Sequence, residues 1–543
     1  MPTNLFGQDY VRARSSAGLV PTSTLRFTTL VTLAALLGSL GIAAAQRPVP
    51  NPNGFKPVAP GYVPDRRTPQ APPGVPQSMT PTVAPKPIAD PTTKTTIAVD
   101  PMDWPSWRGP EQNGISRETG LISSVDLASK KNVLWKNVEA AGISTPVIWR
   151  GKLYTIVRHD HDTPREQEKV LCLNAVTGET IWEARHNVYL SDCPAERVGW
   201  SSCVVDPETG NVYAQGVNGY FECLNGETGK VLWSRSMHEE FGVLSTYGGR
   251  TNVPVVFDDL VIVSAVIIGW GDMARPAHRF LGMDKRSGEI RWFNGTKELP
   301  EDTTYSTPTI KVVDGQEQMI FGSSDGCVWA FQPRTGKPIW NYKLSRRGIS
   351  VSPLVVGDTV YIAQGEENMD NKTMGCLVAI NAKGAKGDIT DKPEHLLWMQ
   401  KSVVCGKSSP VLVDGRIYCV DDSSNVFIVE AATGKLVLKK PIKLVGPLTR
   451  ASPLYADGKI FISTTSAMHI LEPTAEGAKF LVKARLDTKD DVSALFIASH
   501  GRVYLQTAQA LYCLGTPDQK PAAAPQPPAV AEPTGDDKPA WCS

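Results

Sequence analysis

Short runs of alternating apolar and polar residues recur along the central part of the chain, and turn residues separate them. Three of the clearest pairs of runs are 352–365 (SPLVVGDTVYIAQG), 409–422 (SPVLVDGRIYCVDD) and 452–465 (SPLYADGKIFISTT). A period of two residues on either side of a Gly- and Asp-containing turn indicates antiparallel hairpins with one buried face. Helical periodicity is nearly absent, so the pattern excludes repeats built from helices.

A longer pattern repeats with these hairpins: an apolar strand, a turn containing Thr-Gly or Ser-Gly, and then a tryptophan. The copies are 171–182, 222–233, 281–292 and 329–340, a diverged copy that leads to Trp398, and two weaker copies at 427–438 and 469–480. The tryptophans follow one another at intervals of 51, 59, 48 and 58 residues. Four strands per period predict blades stacked around an axis. We interpret the repeated tryptophans as packing between blades: Trp135, Trp182, Trp233, Trp292, Trp340 and Trp398.

The repeat count predicts an all-β, eight-bladed β-propeller of four-stranded antiparallel blades. Seven units are complete, whereas the eighth, which begins near Asp491, lacks its outer strand. A strand containing Trp135 is left over at 132–138, ahead of the first blade. Pairing this strand with 511–514 would complete the last blade and remove an open sheet edge.

Composition divides the chain into four parts. Residues 1–46 contain the apolar run 27–45 and are interpreted as a signal peptide or a membrane anchor. Residues 47–100 form a Pro-rich linker, 101–515 the propeller, and 516–543 a Pro/Ala-rich disordered tail. We therefore expect an extracytoplasmic protein, periplasmic or secreted, that is either released or tethered through 27–45.

Charge and cysteines narrow the classes of function. The 56 Lys and Arg nearly balance the 55 Asp and Glu, so the whole chain has no field that would attract nucleic acid or an anionic membrane. The ten cysteines lack paired CxxC spacing, which argues against structural zinc. Cys193 and Cys203 are the candidate disulfide, because both flank one loop, whereas Cys172, Cys223 and Cys513 occupy equivalent strand positions and are expected to pack.

The AxxxTGxxxW repeats resemble those of the pyrroloquinoline-quinone-like (PQQ-like) propellers. The segment 103–110 (DWPSWRGP) is similar to the lead-in of exported propellers of that family, notably planctomycete ones. The resemblance implies either a quinoprotein alcohol dehydrogenase or a non-catalytic, BamB-like protein, because the family contains both. It implies the fold more strongly than the function.

The family's enzymes use PQQ in the central channel, a Ca²⁺ ion, a catalytic Asp and often a disulfide between adjacent cysteines. This chain has no Cys-Cys dipeptide and no CxxCH haem motif. The loop 364–371 contains carboxylates and amides that suit Ca²⁺, but it lacks EF-hand spacing. No cofactor is firmly predicted; PQQ and Ca²⁺ stay candidates, and no catalytic residue and no metal ligand is assigned.

Alignment of the inner strands by their prolines places one residue of each blade at the mouth of the channel. Two cations and two aromatic residues at these positions would suit a planar carboxylate ligand or an acidic peptide, although they would also serve simply to pack and solvate the mouth. The candidate ligand-binding residues are Lys407, Arg450, Trp200 and Tyr305, with Arg250 and Arg347 nearby. The apolar loop 266–273, containing Trp270, is a competing surface for a protein partner.

The first functional hypothesis is therefore an exported, non-catalytic binding or scaffolding module for an envelope protein or ligand, and we expect a monomer with a protein partner and no nucleic acid. The alternative is a PQQ-dependent oxidoreductase in which Lys407 and Arg450 hold the carboxylates of the cofactor. A third hypothesis is a ligand sensor that an uncleaved 27–45 segment tethers to the membrane.

Overall fold

The computed structural model describes residues 100–188, 197–242, 252–266, 278–296, 304–370, 372–401 and 403–524. These residues are almost entirely β-structure, with strands numbered here β1 to β35 in chain order. The helix α1 (Met237–Phe241) begins after Ser236, whose hydroxyl accepts from the backbone N–H of Glu239, and a 3₁₀ turn covers Pro393–His395. Within the described residues, no helix has the length and apolar character needed to cross a membrane.

Eight antiparallel sheets, called blades 1 to 8, follow one another along the chain. Blade 1 contains β3 (Val147–Trp149), β4 (Lys152–His159), β5 (Gln167–Asn174) and β6 (Thr180–Asn187). Blade 2 contains β7 (Val204–Val205), β8 (Asn211–Gln215), β9 (Tyr220–Asn225) and β10 (Val231–Ser236). Blade 3 contains β11 (Val255–Phe257), β12 (Leu260–Val266), β13 (His278–Asp284) and β14 (Ile290–Gly295). Blade 4 contains β15 (Thr309–Val313), β16 (Gln316–Gly322), β17 (Cys327–Phe331) and β18 (Pro338–Lys343).

The second half of the ring repeats this order, from an inner strand to an outer one. Blade 5 contains β19 (Leu354–Val356), β20 (Thr359–Glu367), β21 (Met374–Asn381) and β23 (Leu396–Lys401). Blade 6 contains β24 (Val411–Val413), β25 (Arg416–Val420), β26 (Asn425–Glu430) and β27 (Ile442–Lys443). Blade 7 contains β28 (Leu454–Ala456), β29 (Lys459–Thr464), β30 (Ala467–Thr474) and β31 (Gly477–Arg485). Blade 8 contains β32 (Ile497–Ser499), β33 (Arg502–Gln506), β34 (Leu511–Leu514) and β2 (Val133–Asn137).

The predicted closure of the ring is confirmed. Strand β2 pairs antiparallel with β34, and Trp135 lies opposite Cys513 in that register. One hydrophobic cluster joins blades 7, 8 and 1, and the other large clusters each join two consecutive blades. The apolar core therefore lies between blades, and the eighth blade is buried on both faces like the others.

Tryptophans on the outer strands pack on glycines of the following blade. The Trp398 ring lies against Gly434, where a Cβ would stand 2.6 Å from the ring, and its indole N–H donates to the Ala431 carbonyl at 2.9 Å. The same contact joins Trp135 to Gly178, Trp182 to Gly229, Trp233 to Gly288 and Trp292 to Gly336. Each glycine has a positive φ and no room for a side chain, which explains the Thr-Gly or Ser-Gly turn.

Trp340 departs from this arrangement because the turn that follows it in blade 5 has diverged. Its indole N–H donates to Gln318 of its own blade at 2.8 Å, and the ring is fully buried. The short strand β22 (Gly387–Asp388), part of that diverged turn, pairs in parallel with β18 and adds a fifth strand to blade 4.

Ordered structure continues past the predicted end of the propeller at residue 515. Strand β35 (Ala522–Ala523) pairs antiparallel with β1 (Glu118–Thr119), which lies ahead of the first blade. The first residues of the segment interpreted as a disordered tail are therefore held by backbone hydrogen bonds. The predicted signal, linker and remaining tail lie outside the described residues.

Candidate functional site

Residues 102–118, called here the channel segment, cross the space enclosed by the inner strands. The segment makes hydrogen bonds to six of the eight blades. Trp104 exchanges backbone bonds of 2.8 Å with Ile148 of blade 1, and the Pro105 carbonyl accepts from Val205 of blade 2. Four further blades are hydrogen-bonded to the segment. Gln112 bonds to Ile310 of blade 4 and Arg108 to Pro410 of blade 6. Gly114 and Ser116 bond to Tyr455 of blade 7, and Met102 bonds to Ser499 of blade 8. The chain therefore fills part of its own central channel.

Arg108 is a deeply buried charge of the channel segment, with 1% of its surface exposed. Its Nη2 donates to the carbonyls of Asn113 at 2.8 Å and Pro410 at 2.5 Å. Nε and Nη1 have no hydrogen-bond partner among the described residues. Burial lowers the pKa of the guanidinium to about 9, because the charged form has lost its water. Arg108 thus links the segment to blade 6 at a cost in desolvation.

Two buried carboxyl groups hold the ends of the channel segment. Asp103 accepts from the backbone N–H of Arg150 at 3.0 Å, and Glu118 accepts from the backbone N–H of Gly501. Burial raises the pKa of Asp103 to about 6 and that of Glu118 to about 7, despite these hydrogen bonds. Both groups therefore change charge close to neutral pH.

In several blades, the predicted mouth residue lies five positions before the inner-strand residue that is hydrogen-bonded to the channel segment. Four blades show this spacing: Ile143 with Ile148, Trp200 with Val205, Tyr305 with Ile310 and Arg450 with Tyr455. Five extended residues span at most about 16 Å. In these four blades the contacts of the channel segment therefore lie within about 16 Å of the predicted mouth positions.

Each of the two predicted cations at the mouth has a carboxylate partner. Lys407 Nζ lies 3.6 Å from Asp422 Oδ2, and Arg450 Nη1 lies 3.0 Å from Asp491 Oδ2. Burial raises the pKa of Asp422, while Lys407 and the backbone N–H of Gly406 oppose that shift. Lys407 and Arg450 are therefore each neutralised by a carboxylate.

The other predicted site residues lie on separate blades. Trp200 of blade 2 is half-buried, and the Arg197 guanidinium carbon lies 5.2 Å from its ring centroid. Tyr305 precedes the inner strand of blade 4, and Arg347 lies in the connection from blade 4 to blade 5. Arg250 and the loop around Trp270 lie outside the described residues. So does Cys193, while Cys203 is fully buried between blades 1 and 2, and their pairing stays a prediction.

A series of hydroxyl groups around the channel was not anticipated from the sequence. The residue before the inner-strand proline, or its equivalent, accepts a hydrogen bond from the preceding blade. In each case a backbone N–H group donates to a serine Oγ of the next blade, at 2.8–3.2 Å. The four pairs, donor first, are Thr145 with Ser202, Thr307 with Ser352, Ser352 with Ser409, and Ser409 with Ser452. The repeated Ser-Pro and Thr-Pro dipeptides are the signal that would have revealed it. These bonds join the inner strands of neighbouring blades to one another.

A second buried polar cluster lies between blades 1 and 2. His186 Nε2 lies 2.9 Å from Glu168 Oε2, and its Nδ1 lies 3.5 Å from Glu222 Oε1. Burial lowers the pKa of His186, but the two carboxylates outweigh it and raise that pKa to about 9. Glu168 also accepts from the backbone N–H groups of Gly199 and Val217, at 2.7 and 2.8 Å. A charged imidazolium is therefore held between two acids.

The residues at the mouth are poorly suited to PQQ. The cofactor's carboxylates would have to displace Asp422 and Asp491 from the two cations, and the channel segment fills the space below. In the candidate Ca²⁺ loop, Asp370 is paired with Lys401 and the Gln364 amide donates to Asn368. In the described ranges, no group of three or more His, Cys, Asp or Glu is arranged to hold a metal ion.

Comparisons with solved structures give the same architecture at low sequence identity. The quinohemoprotein alcohol dehydrogenase from Comamonas testosteroni is 13% identical with a TM-score of 0.52, over 78% of this chain and 82% of that one. A europium-containing methanol dehydrogenase is 12% identical with a TM-score of 0.51, over 75% of this chain and 90% of that one. At these identities the likeness concerns the fold alone.

Similarity also extends to known sequences. A tetrathionate hydrolase from Acidithiobacillus ferrooxidans is 28% identical over 141 residues, which is 24% of this chain and 27% of that protein. The chain thus matches only about a quarter of that relative's length. A family described as outer membrane protein assembly factor BamB matches residues 166–440, just over half of the chain. With its eight four-stranded blades and docked tryptophans, the chain belongs to this family of PQQ-like β-propellers.

Proposed function

We propose that the chain is an exported, non-catalytic binding or scaffolding module that holds an envelope protein or ligand at the mouth of its channel. The observation that carries this proposal is the channel segment, which is hydrogen-bonded to six blades and so occupies the place of a channel ligand with the chain's own residues. Inner strands that are hydrogen-bonded to one another present their side chains with little further ordering, which lowers the entropic cost of binding. The family's description as an outer membrane assembly factor supports a protein partner.

The mouth offers chemistry for a mixed polar contact. Lys407 with Asp422 and Arg450 with Asp491 present both signs of charge, each side chain being partly exposed. Trp200 adds aromatic surface, a residue type that contributes strongly at protein interfaces. A partner segment that carries both acidic and basic residues would form new ion pairs with these four side chains in place of the existing ones, so that no charge is left unpaired.

Photo-crosslinking tests this proposal directly. A photoreactive phenylalanine is placed at Tyr305 or Trp200 in the full-length protein, and at Val356 as the control. Val356 ends the inner strand of blade 5 and is 44% exposed. We expect a defined adduct with an envelope component from the mouth positions and none from Val356. Equal labelling from all three positions, or no adduct from the mouth, would contradict the proposal.

The alternative function is that of a PQQ-dependent oxidoreductase, and it makes a different prediction. Calorimetric titration with PQQ and Ca²⁺ should give no saturable heat for the natural chain, because Asp422 and Asp491 already hold the two cations. Saturable binding that Lys407→Ala with Arg450→Ala abolishes, accompanied by dye-linked alcohol oxidation, would replace the scaffold proposal with this one. Saturable binding without turnover would favour the ligand-sensor hypothesis.

Export is part of the proposal and has its own test. The apolar run 27–45 is followed by small residues suited to signal peptidase. N-terminal sequencing of the protein recovered from cells should find a new terminus near residue 46. An intact N-terminus in a membrane fraction would support a tethered form.

A further inference from the structure

The exposed outer edge of blades 6 and 7 carries a concentration of basic residues that the near-zero net charge conceals. The stretch 431–448, which includes outer strand β27, contains four lysines and no acidic residue, and 477–489 contains four basic residues and one acid, Asp487. All eight side chains are exposed. They form the basic rim, defined as Lys435, Lys439, Lys440, Lys443, Lys479, Lys483, Arg485 and Lys489.

The charges of the basic rim are largely uncompensated. Lys479 pairs with Glu472 at 2.8 Å, whereas the other seven have no ion pair with any described residue. Some outer-strand charges elsewhere on the ring pair locally, as Arg185 does with Glu183 in blade 1. The outer edges of blades 6 and 7 therefore carry an excess of positive charge.

The two stretches form one surface because the two blades pack there. Leu438 lies over Gly477, where a Cβ would stand 3.0 Å from the leucine Cδ1. Leu438 and Ile442 belong to the same cluster as Phe480. Leu436, between two lysines, is 39% exposed. The surface thus combines long cationic side chains with an accessible aliphatic group.

The residue types indicate the kind of partner. Seven of the eight cations are lysines, which act as mobile point charges, whereas arginine provides the planar fork that recognises carboxylates in protein interfaces. Lysine is depleted at protein–protein interfaces. Clustered lysines with interspersed aliphatic residues are instead typical of surfaces attracted to the phosphates of anionic lipids.

We propose that the basic rim is a docking surface for an anionic lipid membrane, which holds the propeller with the outer strands of blades 6 and 7 against the headgroups. This surface is separate from the channel mouth, so membrane contact would leave the mouth free for its partner. The attraction is electrostatic and should weaken at high ionic strength.

Vesicle co-sedimentation of the full-length protein tests this proposal. Vesicles of phosphatidylcholine with 30% phosphatidylglycerol are compared with phosphatidylcholine alone, which measures any binding by the apolar N-terminal run. We expect stronger binding to the anionic vesicles at low salt and loss of that excess in 0.5 M NaCl. The variant Lys439→Glu/Lys440→Glu/Lys443→Glu should lower the excess binding at least about tenfold.

The matched control makes the same charge change elsewhere on the ring. Lys230→Glu/Lys337→Glu/Lys383→Glu reverses three exposed, unpaired lysines on blades 2, 4 and 5, and should retain the excess binding. An equal loss in both variants would show an effect of net charge and overturn the proposal, as would equal binding to both vesicles. Binding of soluble polyglutamate through the rim without vesicle binding would show an acidic protein partner instead.

Discussion

The guanidinium of Arg108 donates a 2.5 Å hydrogen bond to the carbonyl of Pro410, which lies 302 residues further along the chain. Pro410 precedes the inner strand of blade 6, whereas Arg108 lies ahead of the first strand of blade 1. This bond joins the channel segment to the far side of the ring. The segment therefore acts as a tie across the propeller as well as a closure of its channel.

Replacement of Arg108 by alanine should destabilise the fold by about 2–4 kcal/mol. The substitution leaves the buried carbonyl of Pro410 and the partly buried carbonyl of Asn113 without a donor, and it opens a cavity in the channel. The matched control is Arg117→Ala, on the same segment, whose partly exposed pair with Glu111 should contribute no more than about 1 kcal/mol. Urea unfolding of both variants measures the difference, and an equal effect would show that Arg108 does not tie the ring.

Substitution of two glycines of blade 6 distinguishes two costs: the backbone strain of a positive φ, and the clash of a Cβ with a docked tryptophan. Gly434 and Gly415 have φ values of 72° and 75°, but a Cβ meets the Trp398 ring only at Gly434. Gly415→Ala should cost about 1–2 kcal/mol from backbone strain. Gly434→Ala should cost about 1–3 kcal/mol more, because the indole must move. Thermal unfolding compares the two, and equal costs would mean that Trp398 adapts freely.

Glu118 should make stability fall as pH rises towards 8. Its pKa in the fold, about 7, lies above the usual value because burial disfavours the carboxylate. Its contribution is full below the unfolded pKa and is lost as pH rises through 7, and Asp103 acts in the same direction near pH 6. Glu118→Gln stays neutral and should be more stable than the natural chain at pH 8, by about 1–3 kcal/mol.

Urea unfolding at pH 5 and pH 8 measures this difference for the natural chain and the glutamine variant. Glu111→Gln is the control, since that side chain is partly exposed and pairs with Arg117. The prediction would be contradicted if the natural chain were equally stable at both pH values and Glu118→Gln had the same stability as the natural chain. Ionisation of Glu118 would then not destabilise the fold.

His186 should stabilise the interface of blades 1 and 2 only while it is protonated. Its pKa of about 9 lies above the usual value, so its contribution is full below about 6.5 and is lost as pH rises through 9. His186→Ala would leave Glu168 and Glu222 buried without a counter-charge, at a cost of about 3–5 kcal/mol at pH 7.

The control for this prediction is His161→Ala, because His161 is 66% exposed and contacts only a solvent-accessible Asp162. Its effect on unfolding should be small at every pH. The cost of His186→Ala, measured by thermal unfolding, should shrink between pH 7 and pH 10. A cost that does not change with pH would mean that packing, rather than charge, is what the imidazole contributes.

The amino-acid pattern alone was enough to predict the blades. The alternation of apolar and polar residues around Gly- and Asp-containing turns is a local property of the sequence. The turn glycine that faces a docked tryptophan is required both by its positive φ and by the lack of space beside the indole. The leftover strand with Trp135 predicted closure with 511–514, since only a strand of matching pattern could complete the last blade. The placement of Lys407 and Arg450 at the mouth is a prediction from aligning the inner strands by their prolines.

The contacts of those positions became apparent only in the folded ring. The partners of Lys407 and Arg450 come from a turn and from the next blade, and no local pattern predicted them. The sequence of the channel segment does not indicate that it lies in the channel. Its contacts with Pro410, Tyr455 and Ile148 form only when the ring closes. His186 and the basic rim likewise depend on which blades are neighbours. A periodic pattern specifies each blade through short-range geometry, whereas charge pairing and channel contents depend on distances between blades, which exist only once the ring has closed.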